Sequence, residues 1–470
     1  MKSKLVLDLQ KIVGSGYATN DPDEIQKYCG DALGVYRSFS NFPLLFKNPA
    51  AVVSPKSKEQ ISRVIKFAHL HEVPVVPYGK GTGIMGGALA TKDSIIIDLQ
   101  RMDKIINIDQ ENLTARVQPG VVLEDIAKSL HKSGLLLGHD PWSRPIASVG
   151  GAISTNGVGY RAAKYGTMGD QVLGLEVALP DGEIIKTKGL PIASSGPSLN
   201  QLFIGSEGIL GVITEATIET YLIQEKRVLI GMTFPDFESG FRSIIKITHS
   251  NLYPSVVDFG QELKDISGYS QWKITLYLMF EGLEDSVKIS SLEAMKICRS
   301  FNGEMVSESQ TLTFWKERHS TAQLYKKEVL DRNDIYKRRR DSNYYRMEYL
   351  HVILPISKVL EYRKRCNDIF NERDVIVKEW SIWGRPEFFS LLIQERDDQG
   401  HPTSIHMAET VDIVLALAQD MGGAMEYCHG VGVKLSHLMR DELGTSYDLV
   451  RNLKRTLDPH GIMNPGKIIV

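Results

Sequence analysis

A stretch of closely spaced glycines, residues 77–87 (PYGKGTGIMGG), is the densest sign of chemistry in the sequence. Because glycine has no Cβ, backbone N–H groups in such a loop can turn inward and approach a diphosphate closely. Gly81, Gly83 and Gly86 also match the G-x-G-x-x-G pattern of dinucleotide-binding folds. That pattern requires a crossover helix, yet only residues 87–93 separate the cluster from the next apolar run, too few for a crossover. The stretch therefore predicts a phosphate-binding loop without the helix, with a plain structural turn as the alternative.

Two further glycine-bounded segments follow, residues 148–157 (SVGGAISTNG) and 205–214 (GSEGILGVIT). The former adds hydroxyl and amide groups that suit a second wall around a nucleotide, and the latter leads into an apolar strand. Because glycine destabilises strands and helices, a role as plain turns does not account well for three such segments. Together they predict a nucleotide site. We call these segments the first (77–87), second (148–157) and third (205–214) glycine loops.

Short strands and amphipathic helices are expected around these loops. Ser57 and Gln60 form a capping box, and apolar residues at helical spacing over 61–68 predict a helix after it. A second helix is expected over residues 122–130, ended by Gly134. The mixture predicts an α+β fold with mixed sheets. Strands are expected at residues 51–53, 73–76, 95–97, 113–118, 172–179, 209–213, 274–280 and 350–354.

The length, composition and charge of the chain limit the number of domains and the kinds of partner to expect. The 470 residues suit two domains, or three, and a content of 42% hydrophobic and 24% charged residues is typical of a globular protein. The net charge of −2 predicts no basic face, so nucleic acid is not expected as a partner. The dense basic run at residues 337–340 is expected to be a solvated face, with a patch for an anionic substrate or a membrane surface as the alternative.

Cysteine usage and the absence of long apolar runs predict a location. The four cysteines have no paired spacing, which fits neither a disulfide framework nor a zinc site, so a reducing cytoplasm is expected. No apolar run has the length of a signal peptide at the N-terminus, and none approaches the roughly 18 residues of a membrane span. Peripheral contact with a membrane stays open. The cysteines are Cys29, Cys298, Cys366 and Cys428.

The three glycine loops resemble the FAD-binding domain of the vanillyl-alcohol oxidase/p-cresol methylhydroxylase (PCMH) superfamily. The resemblance is greatest to its FAD-linked oxidases, which include D-lactate dehydrogenases, the glycolate oxidase D-subunit and alkyldihydroxyacetonephosphate synthase. It covers most of residues 50–220 and the last fifty residues, where 457–467 (LDPHGIMNPGK) is similar to the closing motif of that subgroup.

The resemblance implies a division into domains. It implies an α+β protein with a PCMH-type FAD-binding domain of two α/β subdomains over residues 1–224. A substrate or cap domain, with an antiparallel sheet covered by helices, is expected over 225–420. The segment 421–470 is expected to return to the FAD-binding domain.

The same resemblance implies which residues bind FAD. Residues 77–83 would surround the pyrophosphate, residues 142–148 and 155–158 would line the ribityl and isoalloxazine side, and residues 207–213 would hold the remainder. Some relatives attach the flavin to a histidine or cysteine, but residues 78–87 and 142–157 contain neither, so noncovalent FAD is expected. The implied residues are Pro77, Tyr78, Gly79, Lys80, Gly81, Thr82, Gly83, Trp142, Ser143, Ser148, Val149, Gly150, Thr155, Asn156, Gly157, Val158, Glu207, Gly208, Gly211, Val212, Ile213 and Asn464.

A histidine beside glycines is the expected catalytic base. Oxidation of an alcohol or hydroxy acid removes a proton from oxygen while a hydride leaves carbon, and histidine titrates in the useful range. His429, in residues 426–432 (EYCHGVG), is similar to the histidine of the family's G-E-H-G-x-G motif. The alternative for His429 is a histidine held in a tight turn for packing. Tyr427 and Glu426 are expected to position or polarise it, with a place in the core or at the rim as the alternative for both.

Two departures from the family bear on the substrate. Cys428 stands where metal-using relatives have glutamate, and residues 380–388 (WSIWGRPEF) replace their H-x-G-D-G-N-x-H segment, so no metal is expected. An anionic substrate would then need an arginine clamp. Arg318, in a W-x-x-R pattern like that of hydroxy-acid relatives, is the first choice and Arg385 the second; an ordinary surface position is the alternative for each. Trp380 and Trp383 suggest an aromatic pocket wall.

The expected function is FAD-dependent oxidation of a small D-lactate-like hydroxy acid or alcohol, with electrons passing to an acceptor that the sequence does not identify. Residues 138–141 (GHDP) equally resemble alkyldihydroxyacetonephosphate synthase, so that non-redox reaction is one alternative. A phenolic alcohol oxidase of the same superfamily and a non-catalytic flavin-binding subunit are the others. A homodimer is compatible with the sequence.

Overall fold

The computed structural model describes residues 2–33, 48–266, 269–331, 347–395 and 405–469, and the basic run 337–340 lies outside them. Within these ranges no helix combines the length and apolar character that crossing a membrane requires. The helices are α1 Lys2–Val13, α2 Pro22–Ile25, α3 Lys58–Leu70, α4 Leu123–Lys132, α5 Val149–Ser154, α6 Ala162–Tyr165, α7 Asn200–Phe203, α8 Phe237–His249, α9 Glu284–Ser300, α10 Glu308–Glu317, α11 Ser320–Tyr325, α12 Val359–Glu372, α13 Ile405–Asp420, α14 Met439–Leu443 and α15 Ser446–Leu457.

The strands form three main sheets and one short pair. They are β1 Ala18–Thr19, β2 Ala51–Val53, β3 Val75–Tyr78, β4 Ile95–Asp98, β5 Ile105–Asp109, β6 Thr114–Val117, β7 Leu135–Leu136, β8 Val172–Ala178, β9 Ile184–Lys186, β10 Val212–Glu219, β11 Tyr221–Leu222, β12 Lys226–Thr233, β13 Val256–Ile266, β14 Tyr269–Gly282, β15 Glu304–Met305, β16 Met347–Ile353, β17 Val375–Trp383 and β18 Phe388–Glu395. Helices and strands are thus mixed along the chain, as the α+β prediction requires.

The first sheet has the order β1-β2-β4-β3, with β2, β4 and β3 parallel. The predicted helix forms the crossover α3, where the Ser57 hydroxyl accepts a hydrogen bond from the Gln60 N–H at 3.3 Å. The third strand begins at Val75, two residues later than expected, because Pro74 has no N–H to give to a ladder. The first glycine loop leaves the carboxyl end of this strand, at the edge where parallel strands present ligand sites.

The second sheet has the order β5-β6-β10-β8-β9 and is antiparallel. The helix predicted over 122–130 is α4, and Gly134 follows it with φ of +70°. The strand predicted at 209–213 was wrong in its first three residues, because β10 starts only at Val212. Residues 209–211 are buried in the third glycine loop, so their apolar character reflects loop burial.

The third sheet, which we call the cap sheet, is antiparallel with the order β15-β12-β14-β13-β17-β18-β16. Side chains alternate between its faces. Phe259, Ile382 and Phe389 point to one face, are fully buried, and join a core that includes Phe237 of α8 and Tyr362 of α12. The opposite face carries polar residues and lies over the glycine loops.

The last segment of the chain pairs with the first sheet. Met463 forms a parallel bridge with Val75, and the Asn464 N–H donates to the Val75 carbonyl at 2.8 Å. The Lys454 ammonium of α15 donates to the carbonyl of Ile209 at 2.7 Å. These contacts join the C-terminal residues to both the first sheet and the third glycine loop.

We predict that Phe389→Ala lowers the free energy of unfolding by about 3–5 kcal/mol, because it empties a fully buried site in the core of the cap sheet. Leu449→Ala is the control, since Leu449 is 71% exposed and its truncation should stay within about 0.5 kcal/mol. Urea denaturation measures both. Equal effects of the two substitutions would contradict the assigned core face.

Candidate active site

A cavity of about 640 Å³ lies between the glycine loops and the polar face of the cap sheet. Its volume is within the range of roughly 300–1,000 Å³ that small-molecule and cofactor sites have. All three glycine loops contribute to its wall, so segments far apart in sequence meet there. The predicted cofactor residues on the wall are Pro77, Gly79, Lys80, Gly81, Thr82, Gly83, Trp142, Ser143, Ser148, Gly150, Thr155, Gly157, Val158, Glu207, Gly208, Gly211, Val212 and Ile213.

The glycines of the first loop allow it to approach the other two loops closely. A Cβ on Gly79 would lie 2.7 Å from the Ser148 hydroxyl, and one on Gly87 would lie 2.6 Å from a carboxylate oxygen of Glu207. A side chain at either position would require the Ser148 hydroxyl or the Glu207 carboxylate to move. Glycines of the first loop also line the cavity itself, where backbone without side chains is the surface that a diphosphate needs. The residues present fit a dinucleotide such as FAD.

Glu207 connects the third glycine loop to the segment that carries His429. Its buried carboxylate accepts hydrogen bonds from the N–H groups of Val431, at 2.6 Å, and Gly432, at 2.9 Å. Burial raises the pKa of Glu207 to about 7. The Asn464 amide donates to the carbonyls of Gly87 and Glu207, at 2.9 Å and 2.6 Å. Asn464 thus holds two glycine loops together and does not itself line the cavity.

Three other predicted cofactor residues lie behind the wall. The Tyr78 hydroxyl donates to the Gly30 carbonyl at 3.2 Å, and the Asn156 side-chain oxygen accepts from the Gly169 N–H at 2.9 Å. Val149 is fully buried in α5. These side chains support the loops from the protein side, which is a different task from contact with a cofactor.

His429 lies on the cavity wall, as the prediction of a catalytic base requires. Its ring stands perpendicular to that of His351, with centroids 4.4 Å apart. One carboxylate oxygen of Glu426 accepts hydrogen bonds from the backbone N–H groups of Tyr427, Cys428 and His429, at 3.0, 2.6 and 3.0 Å. Burial raises the pKa of Glu426 to about 7. Glu426 therefore shapes the turn that presents the histidine.

The side chain of Tyr427 points away from the cavity wall. Its hydroxyl lies 2.6 Å from the Ser390 hydroxyl, and its ring stacks on Phe388 with centroids 4.5 Å apart. The ring also meets His351 edge to face at 5.4 Å. Any effect of Tyr427 on His429 would therefore pass through the packing of His351.

Arg318 is engaged between domains and is not brought to the described cavity wall. Its guanidinium donates to Asp140 at 3.0 Å and to the Trp315 carbonyl at 2.6 Å, and it lies 3.6 Å from the centroid of the Trp315 ring. Asp140 also accepts from Arg144 at 2.7 Å and pairs with His319 at 3.1 Å. The buried carboxylate needs these cations, so Arg318 joins the end of α10 to residues 140–144.

In the segment around Arg385, some residues lie at the surface and others line the cavity. Arg385 is exposed and pairs with Glu387 at 3.3 Å, so the structure does not bring it to the site. Trp383 and Gly384 do line the cavity. Trp380 points to the opposite face of the cap sheet and is 2% exposed, so it belongs to the core. Of the two tryptophans expected in a pocket wall, one is there.

Among the described residues, His351, Cys428 and His429 have potential metal ligands within 4.8 Å of one another. Thiols bind metals as thiolates. Burial, followed by the nearby Glu426 carboxylate, raises the pKa of Cys428 to about 12, which disfavours the thiolate near neutral pH. The expectation that no metal is used stays a prediction, and metal analysis of the purified protein would test it.

The cap sheet contributes cavity residues that sequence reasoning missed. Asp258 and Glu262 of β13, Tyr349 of β16, and Glu379 of β17 line the cavity together with Trp383. The signal was the alternation of polar and apolar residues along β13 and β17, which places every second residue on one face. Which face of the sheet covers a cavity depends on the pairing of the strands, and this pairing cannot be predicted from the sequence of one strand.

His139 is a second residue that the sequence analysis passed over. It is 2% exposed and lines the cavity, and its Nδ1 has no hydrogen-bond partner among the residues that the structure describes. Burial lowers its pKa to about 4, so the ring is neutral near pH 7.

Comparison with protein families agrees with this geometry. Residues 49–188 match the FAD binding domain family, and residues 223–468 match the C-terminal domain of the FAD linked oxidases. The D-lactate dehydrogenase of Archaeoglobus fulgidus is 31% identical over 450 residues, which cover 92% of this chain and 95% of that protein. The glycolate oxidase subunit GlcD of Bacillus subtilis is 28% identical over 449 residues, covering 92% and 91%.

Solved structures share the fold at low sequence identity. p-Cresol methylhydroxylase with bound substrate superposes with a TM-score of 0.77 at 19% identity, covering 99% of this chain and 96% of that one. An alkyldihydroxyacetonephosphate synthase superposes with a TM-score of 0.76 at 19% identity, covering 98% and 84%. These likenesses confirm the predicted PCMH-type fold.

We predict that Glu207→Gln becomes more stable relative to the wild type as pH rises from about 5 to about 8. Because the pKa of Glu207 is about 7 in the folded chain, against 4.5 for an ordinary glutamate, the unfolded chain loses this proton first. Stability from Glu207 is therefore present below about pH 4.5 and lost as pH rises to about 7. Glutamine stays neutral and avoids that loss.

Urea denaturation of the flavin-free proteins at a series of pH values measures the effect. Glu284→Gln, at a side chain that is 63% exposed, is the matched control and should show no such trend. A stability difference that stays constant with pH, or falls, would contradict the buried state of Glu207.

Proposed function

The chain belongs to the FAD-linked oxidase family of enzymes and has FAD as its cofactor, and we propose that it oxidises a hydroxyl-bearing carbon of a small molecule. The observation that carries the proposal is that His429 faces the same cavity as the three glycine loops. A cofactor surface and a side chain that can accept a proton thereby meet in one enclosed space.

The glycine loops are proposed to hold FAD. Residues 77–83 would contact the pyrophosphate, and residues 142–158 would line the side of the ribityl chain and isoalloxazine. When bound, the flavin supplies the acceptor for the hydride that leaves the substrate carbon.

His429 is proposed to act as the base. As the C–H bond breaks, the hydroxyl proton passes to the imidazole of His429, and the carbon–oxygen bond becomes a carbonyl. Glu426 fixes the backbone of His429 through three hydrogen bonds, and the perpendicular ring of His351 limits its rotation. A base held in this way needs little reorganisation when substrate binds.

Several relatives are named for D-lactate, yet the arginines expected to bind a carboxylate are engaged elsewhere. Arg318 binds Asp140, and Arg385 is exposed beside Glu387. The site therefore supports oxidation of an alcohol group more directly than recognition of a hydroxy acid's carboxylate. The likeness to alkyldihydroxyacetonephosphate synthase is one of fold, and no described residue favours that reaction over oxidation.

We predict that His429→Ala keeps its FAD but slows anaerobic flavin reduction by alcohol substrates by about 10²–10⁴-fold, which is the usual contribution of a general base. Stopped-flow absorbance on a panel of alcohols and hydroxy acids measures the rate. His131→Ala, at an exposed position on α4, is the control. Full-speed reduction in the His429 variant would remove His429 from this role.

We predict that acid precipitation releases all of the FAD into the supernatant, because residues 78–87 and 142–157 contain neither histidine nor cysteine. Absorbance of the supernatant and the mass of the intact chain measure the release. Flavin that stays with the precipitated chain would show a covalent bond, and His139, His351, Cys428 and His429 on the wall would be the residues to examine.

A further inference from the structure

Three carboxyl groups share one part of the cavity wall. Asp258 and Glu262 are four residues apart on β13, so both point to the same face of the cap sheet. On β17, Glu379 is the register partner of Glu262, and Trp383 is the partner of Asp258. All four side chains line the cavity, so the strand pairing builds a local acidic wall there.

Asp258 is the member of this group that lacks a partner. The Tyr349 hydroxyl donates to Glu379 at 2.7 Å, and Glu262 forms an ion pair with Lys264. No described residue gives Asp258 a hydrogen bond or an ion pair, and its half-buried side chain lines the cavity. A half-buried carboxylate beside two like charges is unfavourable unless a proton or a cation compensates it.

The electrostatics of the apoprotein agree with this. Burial, followed by the Glu379 and then the Glu262 carboxylates, raises the pKa of Asp258 to about 8. Burial also raises the pKa of Glu379. In the absence of a ligand, a proton on Asp258 lowers the repulsion between the three carboxylates. A ligand cation would lower this repulsion in place of the proton.

The described cavity wall offers little positive charge to an anion. Lys80 is its one lysine or arginine; it belongs to the first glycine loop, and its ammonium lies 3.3 Å from the Gln100 side-chain oxygen. Beside the carboxyl groups, the rings of Tyr349 and Trp383 stack with centroids 5.3 Å apart. Carboxylates next to aromatic rings are the environment that proteins use for ammonium groups.

Ring contacts connect the acidic wall to the proposed base. Trp383 stacks on Tyr349, Tyr349 stacks on His351 with centroids 4.9 Å apart, and His351 meets His429 at 4.4 Å. The carboxyl groups and His429 therefore lie along one continuous wall. A ligand that lies along this wall would have the carboxyl groups at one end and His429 at the other.

We propose that the substrate is a cationic alcohol, whose ammonium group binds Asp258 and Glu379 while its hydroxyl group meets His429. This inference rests on the proposed function, because it takes oxidation at a hydroxyl-bearing carbon as given. It adds that the charge of the substrate is positive, opposite to that of a hydroxy acid.

Three compounds with the same CH₃–CH(OH) unit test the sign of the charge. They are 1-amino-2-propanol, which is protonated at pH 7, neutral 1,2-propanediol and anionic lactate, each used as separate enantiomers. Anaerobic stopped-flow titration of the FAD-loaded enzyme gives the Kd and the rate of flavin reduction for each compound. We expect the Kd of the aminoalcohol to be at least about tenfold lower than that of the diol, and lactate to bind most weakly.

Charge-neutralising variants test the assigned residues. Asp258→Asn and Glu379→Gln should each raise the Kd of the aminoalcohol about tenfold or more and leave that of the diol within about twofold. Glu284→Gln, which removes an exposed carboxylate outside the cavity, should change neither. The visible flavin spectrum and the thermal midpoint show whether each variant is folded and loaded. Unchanged aminoalcohol affinity in a folded Asp258→Asn protein would overturn the proposal.

A redox-inert probe separates the two levels of inference. Isopropylammonium lacks the hydroxyl group, and its binding is followed through perturbation of the flavin spectrum. If the diol or lactate reduces the flavin while neither ammonium compound binds, the cation site is wrong and the proposed function stands. If isopropylammonium binds in an Asp258-dependent way while no alcohol reduces the flavin, the cation site stands and the proposed function is wrong.

Discussion

The buried carboxylate of Glu207 is the point at which the separate parts of the site meet. It lies in the third glycine loop, faces Gly87 of the first, and accepts backbone hydrogen bonds from Val431 and Gly432 just beyond His429. Loss of this carboxylate would leave the N–H groups of Val431 and Gly432 without their acceptor. An unsatisfied buried N–H group lowers the free energy of unfolding by roughly 1–3 kcal/mol. The position of the proposed base relative to the cofactor loops therefore depends on one acid whose burial raises its pKa.

The cap sheet has two faces with different tasks. Its apolar face packs Phe259 and Phe389 against helices and so stabilises the domain. Its polar face closes the cavity with Asp258 and Glu379. Arg318, which was expected to bind an anionic substrate, is bound instead to Asp140. Charge pairing that joins the domains thus leaves the substrate wall acidic.

Local rules predicted the FAD-binding half well and the substrate half poorly. The capping box at Ser57 and the glycine loops depend on neighbours in sequence, so both could be anticipated. The partner of Arg318 lies 178 residues away, and its pairing could not be read from the W-x-x-R pattern. Asp258 joins Glu379 only through the register of β13 with β17. The alternation along β13 was visible, but the face that it would present was not.

We propose that bare backbone in the three glycine loops, which Glu207 holds against the His429 segment, encloses FAD. The flavin content of the purified chain tests it most directly, by the visible absorption spectrum and by chromatography of the cofactor after denaturation. The account predicts one equivalent of FAD per chain, either as isolated or after reconstitution of the flavin-free protein. A folded chain that carries no flavin and takes up none from excess FAD would contradict it.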